Sequence, residues 1–129
     1  MKLLLDTHVF IWLDTNPSKL SQTALALCEN PDNQLFLSIA SVWEIQIKVQ
    51  LQKLHLDVEL AEMVTVQQEE NGLSILPIEL ENIYNLNSLP FHHKDPFDRV
   101  ILSQALTNNM QLISADSNFS QYDMIETIW

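Results

Sequence analysis

Apolar residues come in short runs along this chain, and the runs are of two kinds. Nearly all-apolar stretches of strand length recur at Lys2–Leu5, Leu35–Ile39, Leu73–Ile78, Met110–Ser114 and Met124–Trp129. Between them the spacing predicts helices over Val9–Leu13, Ser18–Glu29, Ser41–Gln52, Val58–Glu70, Leu80–Leu86 and Phe97–Thr107. A strand with no polar face is buried on both sides, and strands that alternate with helices form a parallel sheet with helices on each face. The fold class expected is α/β.

One segment carries two signals. Trp43, Ile45, Ile47, Val49 and Leu51 alternate with Glu44, Gln46, Lys48, Gln50 and Gln52, which is the period of a strand. Against this, Ser41-Val42-Trp43-Glu44 fits an S-x-x-E capping box, and good helix formers follow a strand directly. Read as a helix, Ser41–Gln52 places apolar residues on two sides, one of them free for a partner.

Length and composition narrow the picture. At 129 residues and 47% hydrophobic content the chain makes one domain, residues 1–129, with no repeat, linker or low-complexity tract. Asp6 cuts the leading apolar run far below signal-peptide length, and no other stretch approaches a membrane span. The single cysteine, Cys28, cannot form an internal disulfide and reads as a small buried hydrophobe. A cytoplasmic protein is expected. With one glycine, Gly72, neither phosphate-cradling loop motif can be written. Six Lys+Arg against 17 Asp+Glu give a formal net charge of −11, the wrong sign for holding nucleic acid on a broad basic face.

The acids are better placed than their number suggests. In right-handed β-α-β units, strand C-termini and helix N-termini share one edge of the sheet, where ligands bind. Asp6 ends the first strand, Glu44 sits in the first turn of the helix after the second, Asp95 and Asp98 flank Pro96 at a helix start, and Asp116 follows the strand ending at Ser114. Each has a plain structural explanation as a cap or a dipole partner, at about 0.5–2 kcal/mol. Their convergence at one edge is harder to explain that way. Crowded carboxylates repel unless a cation joins them, and Mg²⁺ or Mn²⁺ takes oxygen ligands while phosphate oxygens complete the shell. A metal so held acidifies its bound water and stabilises displacement at phosphorus, which points to phosphodiester hydrolysis.

The stretches "LLLDTHVFIW" (Leu3–Trp12), "SIASVWEI" (Ser38–Ile45), "HHKDPFDRVILSQAL" (His92–Leu106) and "LISAD" (Leu112–Asp116) resemble, in order and spacing, PIN-domain proteins of the VapC toxin type. The resemblance covers nearly the whole chain. It implies a five-stranded parallel sheet between helices, a Mg²⁺- or Mn²⁺-dependent ribonuclease, a small antitoxin as partner and a homodimer. Matched to the motif, the metal and catalytic acids fall on Asp6, Glu44, Asp98 and the more variable Asp116. Asp95 then supports the site or caps the helix, and Thr7 and Ser114 hydrogen-bond ligand carboxylates or water. Ser114 stands where many relatives have threonine, which keeps the hydroxyl.

The remaining polar residues fit less tightly. His92 and His93 are adjacent, so their side chains diverge, and neither a cysteine cluster nor H-x-x-x-H spacing supplies a tetrahedral zinc set. His8 and His55 read as packing or surface residues. Lys94 and Arg99 lie beside the acids, where either can touch a substrate phosphate; Arg99 can equally pair with an acid. Lys48 and Lys53 are candidates for a local RNA-facing patch or plain surface lysines. A phosphatase of the haloacid dehalogenase type needs D-x-D where this chain has Asp6-Thr7-His8, and a phospho-receiver needs a lysine near the last strand. A non-catalytic PIN protein acting as a binding or scaffold module is the other alternative.

Overall fold

Leu3, Leu4 and Leu5 are fully buried in the computed structural model, which describes Met1–Trp129. They belong to the first of five strands: β1 (Lys2–Leu5), β2 (Gln34–Ser38), β3 (Ser74–Leu76), β4 (Gln111–Ile113) and β5 (Thr127–Ile128). All neighbours pair in parallel, in the order β3-β2-β1-β4-β5. Six helices accompany them: α1 (Thr7–Thr15), α2 (Gln22–Glu29), α3 (Ile39–Gln50), α4 (Leu60–Asn71), α5 (Leu80–Tyr84) and α6 (Pro96–Thr107). Side chains alternate across a strand. Leu3 and Leu5 therefore pack with Phe10 of α1, Cys28 of α2, Ile45 of α3 and Met63 of α4, whereas Leu4 packs on the other face with Ile101, Leu102 and Ala105 of α6. The all-apolar strand pattern follows from these two cores, and the three-layer α/β architecture with a five-stranded parallel sheet agrees with the sequence reading.

Helix boundaries depart from expectation where short polar side chains take the caps. Pro17–Lys19 forms a separate 3-10 turn, and α2 begins after Ser21, whose hydroxyl accepts from the Ala24 amide. The start of α3 moves further. Ser38 Oγ accepts from the Ala40 amide at 3.0 Å, so β2 runs into α3 with no loop, and Ile39, expected in the strand, is the first helical residue. Ser41 is consequently inside the helix and caps nothing, and Glu44 lies in the second turn rather than the first. The capping-box explanation of Glu44 falls with that shift. The period-two segment is helical as far as Gln50, with Ile45 fully buried and Trp43 62% exposed against the edge of Phe97, whereas Leu51 and Gln52, expected in the helix, form the turn that ends it, Gln52 at φ 58°.

Candidate functional site

The sheet order makes β1 and β4 neighbours, although the chain first winds outward through β2 and β3 before returning to β4 on the other side of β1. This is a topological switch point, where the crevice beyond the strand ends binds ligands. The Asp6 amide donates to the Ile113 carbonyl at 3.0 Å, which pins the residue after β1 to β4. Ser114 and Asp116 leave β4 at the same edge, Glu44 reaches in from the wall of α3, and Asp95 and Asp98 stand at the start of α6. Asp6, Glu44, Asp95, Asp98 and Asp116 all line one cleft of about 380 Å³, together with Thr7, His8, Trp12, Lys48 and Ala115.

Each acid is held by a neighbour. Ser114 Oγ donates to Asp6 Oδ2 at 2.9 Å. Thr7 Oγ1 lies 3.0 Å from Glu44 Oε1 and 2.8 Å from Ser41 Oγ, and Lys48 Nζ donates to Glu44 Oε2 at 2.8 Å. Asp95 is the N-cap of α6, its Oδ1 accepting from the amides of Phe97 and Asp98, with Pro96 at the first helical position. Asp116 Oδ1 accepts from the Asn118 amide.

The electrostatics record crowding. Burial pushes the Asp6 carboxyl up, against the lowering effect of the Ser114 hydrogen bond. Asp98 is pushed up to about 8, first by burial and then by the charges of Asp6, Asp95, Glu44 and Asp116. Lys48 is raised by its hydrogen bond to Glu44. Lys48 is the one lysine that faces five carboxylates in the cleft, and an oxygen-rich donor set so short of positive charge suits a hard divalent cation.

His93 is the residue that the sequence left unplaced. Its Nε2 lies 2.9 Å from Asp98 Oδ2 and 3.2 Å from Asp116 Oδ2. The Asp95 amide donates to Nδ1 at 3.4 Å, which leaves the ring proton on Nε2, facing both carboxylates. The ring leans on Phe119, and the His93 amide donates to the Tyr122 hydroxyl. His92 is exposed and packs on the edge of Tyr122 instead. Nothing in the sequence distinguishes the two rings; these tertiary contacts do. His93, Asp98 and Asp116 offer one nitrogen and two oxygens within 4.8 Å of one another, short of the four ligands of a structural zinc site.

The two basic residues nearest the acids in sequence do not enter the cleft. Lys94 is exposed outside it. Arg99 is buried and turned away from the acids. It donates to the carbonyls of Leu86, Leu89, Pro90 and His93 and stacks 4.0 Å from the Phe91 ring centroid. Neither substrate contact nor pairing with an acid describes it; it ties the Leu86–His93 segment to α6 and so fixes the backbone that carries His93. Lys48, farther away in sequence, is the lysine that reaches the acids.

Solved structures of similar fold include VapBC2 from Rickettsia felis bound to a DNA fragment from its promoter, at 16% identity and a TM-score of 0.76, covering 99% of this chain and 98% of that one. VapBC-1 from nontypeable Haemophilus influenzae matches at 19% identity and 0.69, over 99% and 97%. VapBC-5 from Mycobacterium tuberculosis, a member of the VapBC family of toxin-antitoxin systems, matches at 18% and 0.63, over 98% and 97%. No curated protein matches in sequence. The sequence profile of the PIN domain matches residues 3–124, nearly the entire chain, and with the sheet order and the acid cluster already described it establishes that this chain belongs to the PIN domain family.

Proposed function

We propose that the chain is a metal-dependent endoribonuclease, a toxin of VapC type held in check by a small antitoxin. The observation that carries this is the convergence of Asp6, Glu44, Asp98 and Asp116, from four segments of the chain, on one cleft at the switch point of the sheet. Asp6, Glu44 and Asp98 would hold Mg²⁺ or Mn²⁺, with Asp116 as a further ligand or a group that positions water. When bound, such an ion supplies an acidified water and neutralises charge at the phosphate.

The protein's own contribution is orientation. Ser114 and Thr7 fix the carboxylates of Asp6 and Glu44, and Asp95 holds the amide of Asp98 at the helix start. His93 donates between Asp98 and Asp116, keeping two repelling groups on one side of the cleft. No side chain need act as a nucleophile. Asp98, pushed up to about 8 without a cation, is the group whose ionisation an incoming metal would favour most.

An antitoxin partner is supported by the VapBC assemblies among the similar structures, and a cleft rich in carboxylates favours a partner that brings a basic side chain. Homodimerisation belongs to the same reading, with the exposed Ile39, Trp43 and Leu51 at or beside α3 available for it or for the antitoxin. No helix is long and apolar enough to cross a membrane, and an RNA substrate would place the protein in the cytoplasm.

The test compares wild type with Asp6→Asn and Asp98→Asn on a panel of RNAs in Mg²⁺, Mn²⁺ or chelator. Metal-dependent cleavage by wild type alone supports the reading. Absence of cleavage in wild type, or its survival in both variants, sinks it and leaves a binding module.

A further inference from the structure

Beside the acid cleft lies a second one of opposite character, about 320 Å³, lined by Lys19, Lys48, Lys53, His8, Trp12 and apolar residues that include Ile11, Ile45 and Leu54. It shares Thr7, His8, Trp12 and Lys48 with the acid cleft, so the two lie side by side. Its composition is unusual for this chain. Six basic residues are spread over 129 positions with a net charge of −11, yet three lysines meet here and no Asp or Glu lines the cleft. Trp12 stands at the junction, with Lys19 Nζ 5.9 Å from its ring centroid and the rings of His8 and Trp129 at 5.8 and 6.1 Å.

We propose that this second cleft binds the single-stranded stretch of RNA next to the phosphate presented to the acids, with Trp12 as a platform for a base and Lys19 and Lys53 contacting the backbone. Lysines beside a half-buried aromatic and an apolar floor are the combination by which unpaired nucleic acid is held without sequence readout. A duplex keeps its base faces stacked inside and cannot use such a floor. The arrangement also answers the charge problem: a chain too acidic to hold RNA broadly places half of its six basic residues in a cleft that adjoins the acids. Lys48, held to Glu44, forms the wall between the two clefts. The proposal takes the identity of the strand from the nuclease reading above.

The experiment measures fluorescence anisotropy of labelled oligouridylate, oligoadenylate and an RNA duplex in Ca²⁺, which occupies carboxylate sites without the compact octahedral geometry of Mg²⁺. Wild type should bind the single strands better than the duplex. Lys19→Ala with Lys53→Ala should weaken single-strand binding and lower the log–log salt slope by about 1.4, the sum of two phosphate contacts. Trp12→Leu, which keeps the apolar packing, should weaken binding about 5-fold or more with the salt slope unchanged. The control is Lys2→Ala with Lys94→Ala, which removes the same charge outside the cleft. Equal loss in the control, duplex binding as tight as single-strand binding, or wild-type affinity in the cleft variants overturns the proposal. Cleavage assays run alongside separate the two readings. Binding lost in the cleft variants while wild type never cleaves supports the strand cleft and removes the nuclease. Metal-dependent cleavage with unaltered binding in the cleft variants does the reverse.

Discussion

Ser114 Oγ donates to Asp6 Oδ2 at 2.9 Å, and the same oxygen accepts from the Asp116 amide at 3.0 Å. One hydroxyl thus orients two acids of the cleft. Ser114→Ala should reduce Mn²⁺ affinity about 10–100-fold, the usual effect of losing a group that holds a metal ligand. Ser114→Thr should stay close to wild type. Calorimetric titration with Mn²⁺ checks both, and an unaltered affinity in the alanine variant would remove this role from Ser114.

Asp98 gives the metal-free protein a pH dependence of definite sign. Its folded value of about 8 lies above its ordinary 3.8, so between those pH values the folded state binds more protons than the unfolded one. Stability then falls as pH rises from about 4 to 8, by at most about 1.4 kcal/mol per pH unit from this group. Asp98→Asn should flatten that slope and melt higher than wild type at pH 8 in chelator. Mn²⁺ should reverse the order. Thermal melts across pH, with and without metal, read both effects.

Arg99 carries a buried charge satisfied by four carbonyl oxygens and the Phe91 ring rather than by an acid. Removing it leaves those carbonyls without their donor. Arg99→Ala should destabilise by about 3 kcal/mol or more in urea unfolding. Arg99→Lys keeps the charge but lacks the planar fork, and should recover only part of the loss. A lysine variant as stable as wild type would mean that charge alone suffices.

Gly72 ends α4 with φ 65°, in the left-handed region, and an added Cβ would meet nothing within 4 Å. The penalty for Gly72→Ala is therefore one of backbone conformation, about 1 kcal/mol, without a clash. Gly72→Asn should cost less, because asparagine tolerates that conformation better. Equal denaturation midpoints for the three proteins would contradict this account.

The β1 run Lys2–Leu5 is legible to the residue because Leu3, Leu4 and Leu5 are buried on both faces of the sheet and the polar Lys2 and Asp6 bracket them. The edge strand β5 was not: the apolar run Met124–Trp129 yields only Thr127–Ile128, since Ile125 is taken by the core below α6. The motif marks Glu44 but predicts it one turn too early in its helix, because Ser38 and Ser41 offer the same hydroxyl to a cap and tertiary structure decides between them. Arg99 and His93 were the least legible. Guanidinium to carbonyl bonds leave no pattern in a sequence, and neighbouring histidines look alike until Phe119 and Tyr122 select one.

The strand order also sets when the cleft can exist. During synthesis Asp6 and Glu44 emerge early, but β4 is made long after the strand it lies beside, and Ser114 is separated from Asp6 by 108 residues. Until β4 is inserted next to β1, one side of the crevice is missing, whatever the rest of the chain has achieved. A nascent or truncated copy that stops before β4 lacks both Ser114 and Asp116 and cannot assemble the four acids, so under the nuclease reading cleavage waits until nearly the whole chain has been made.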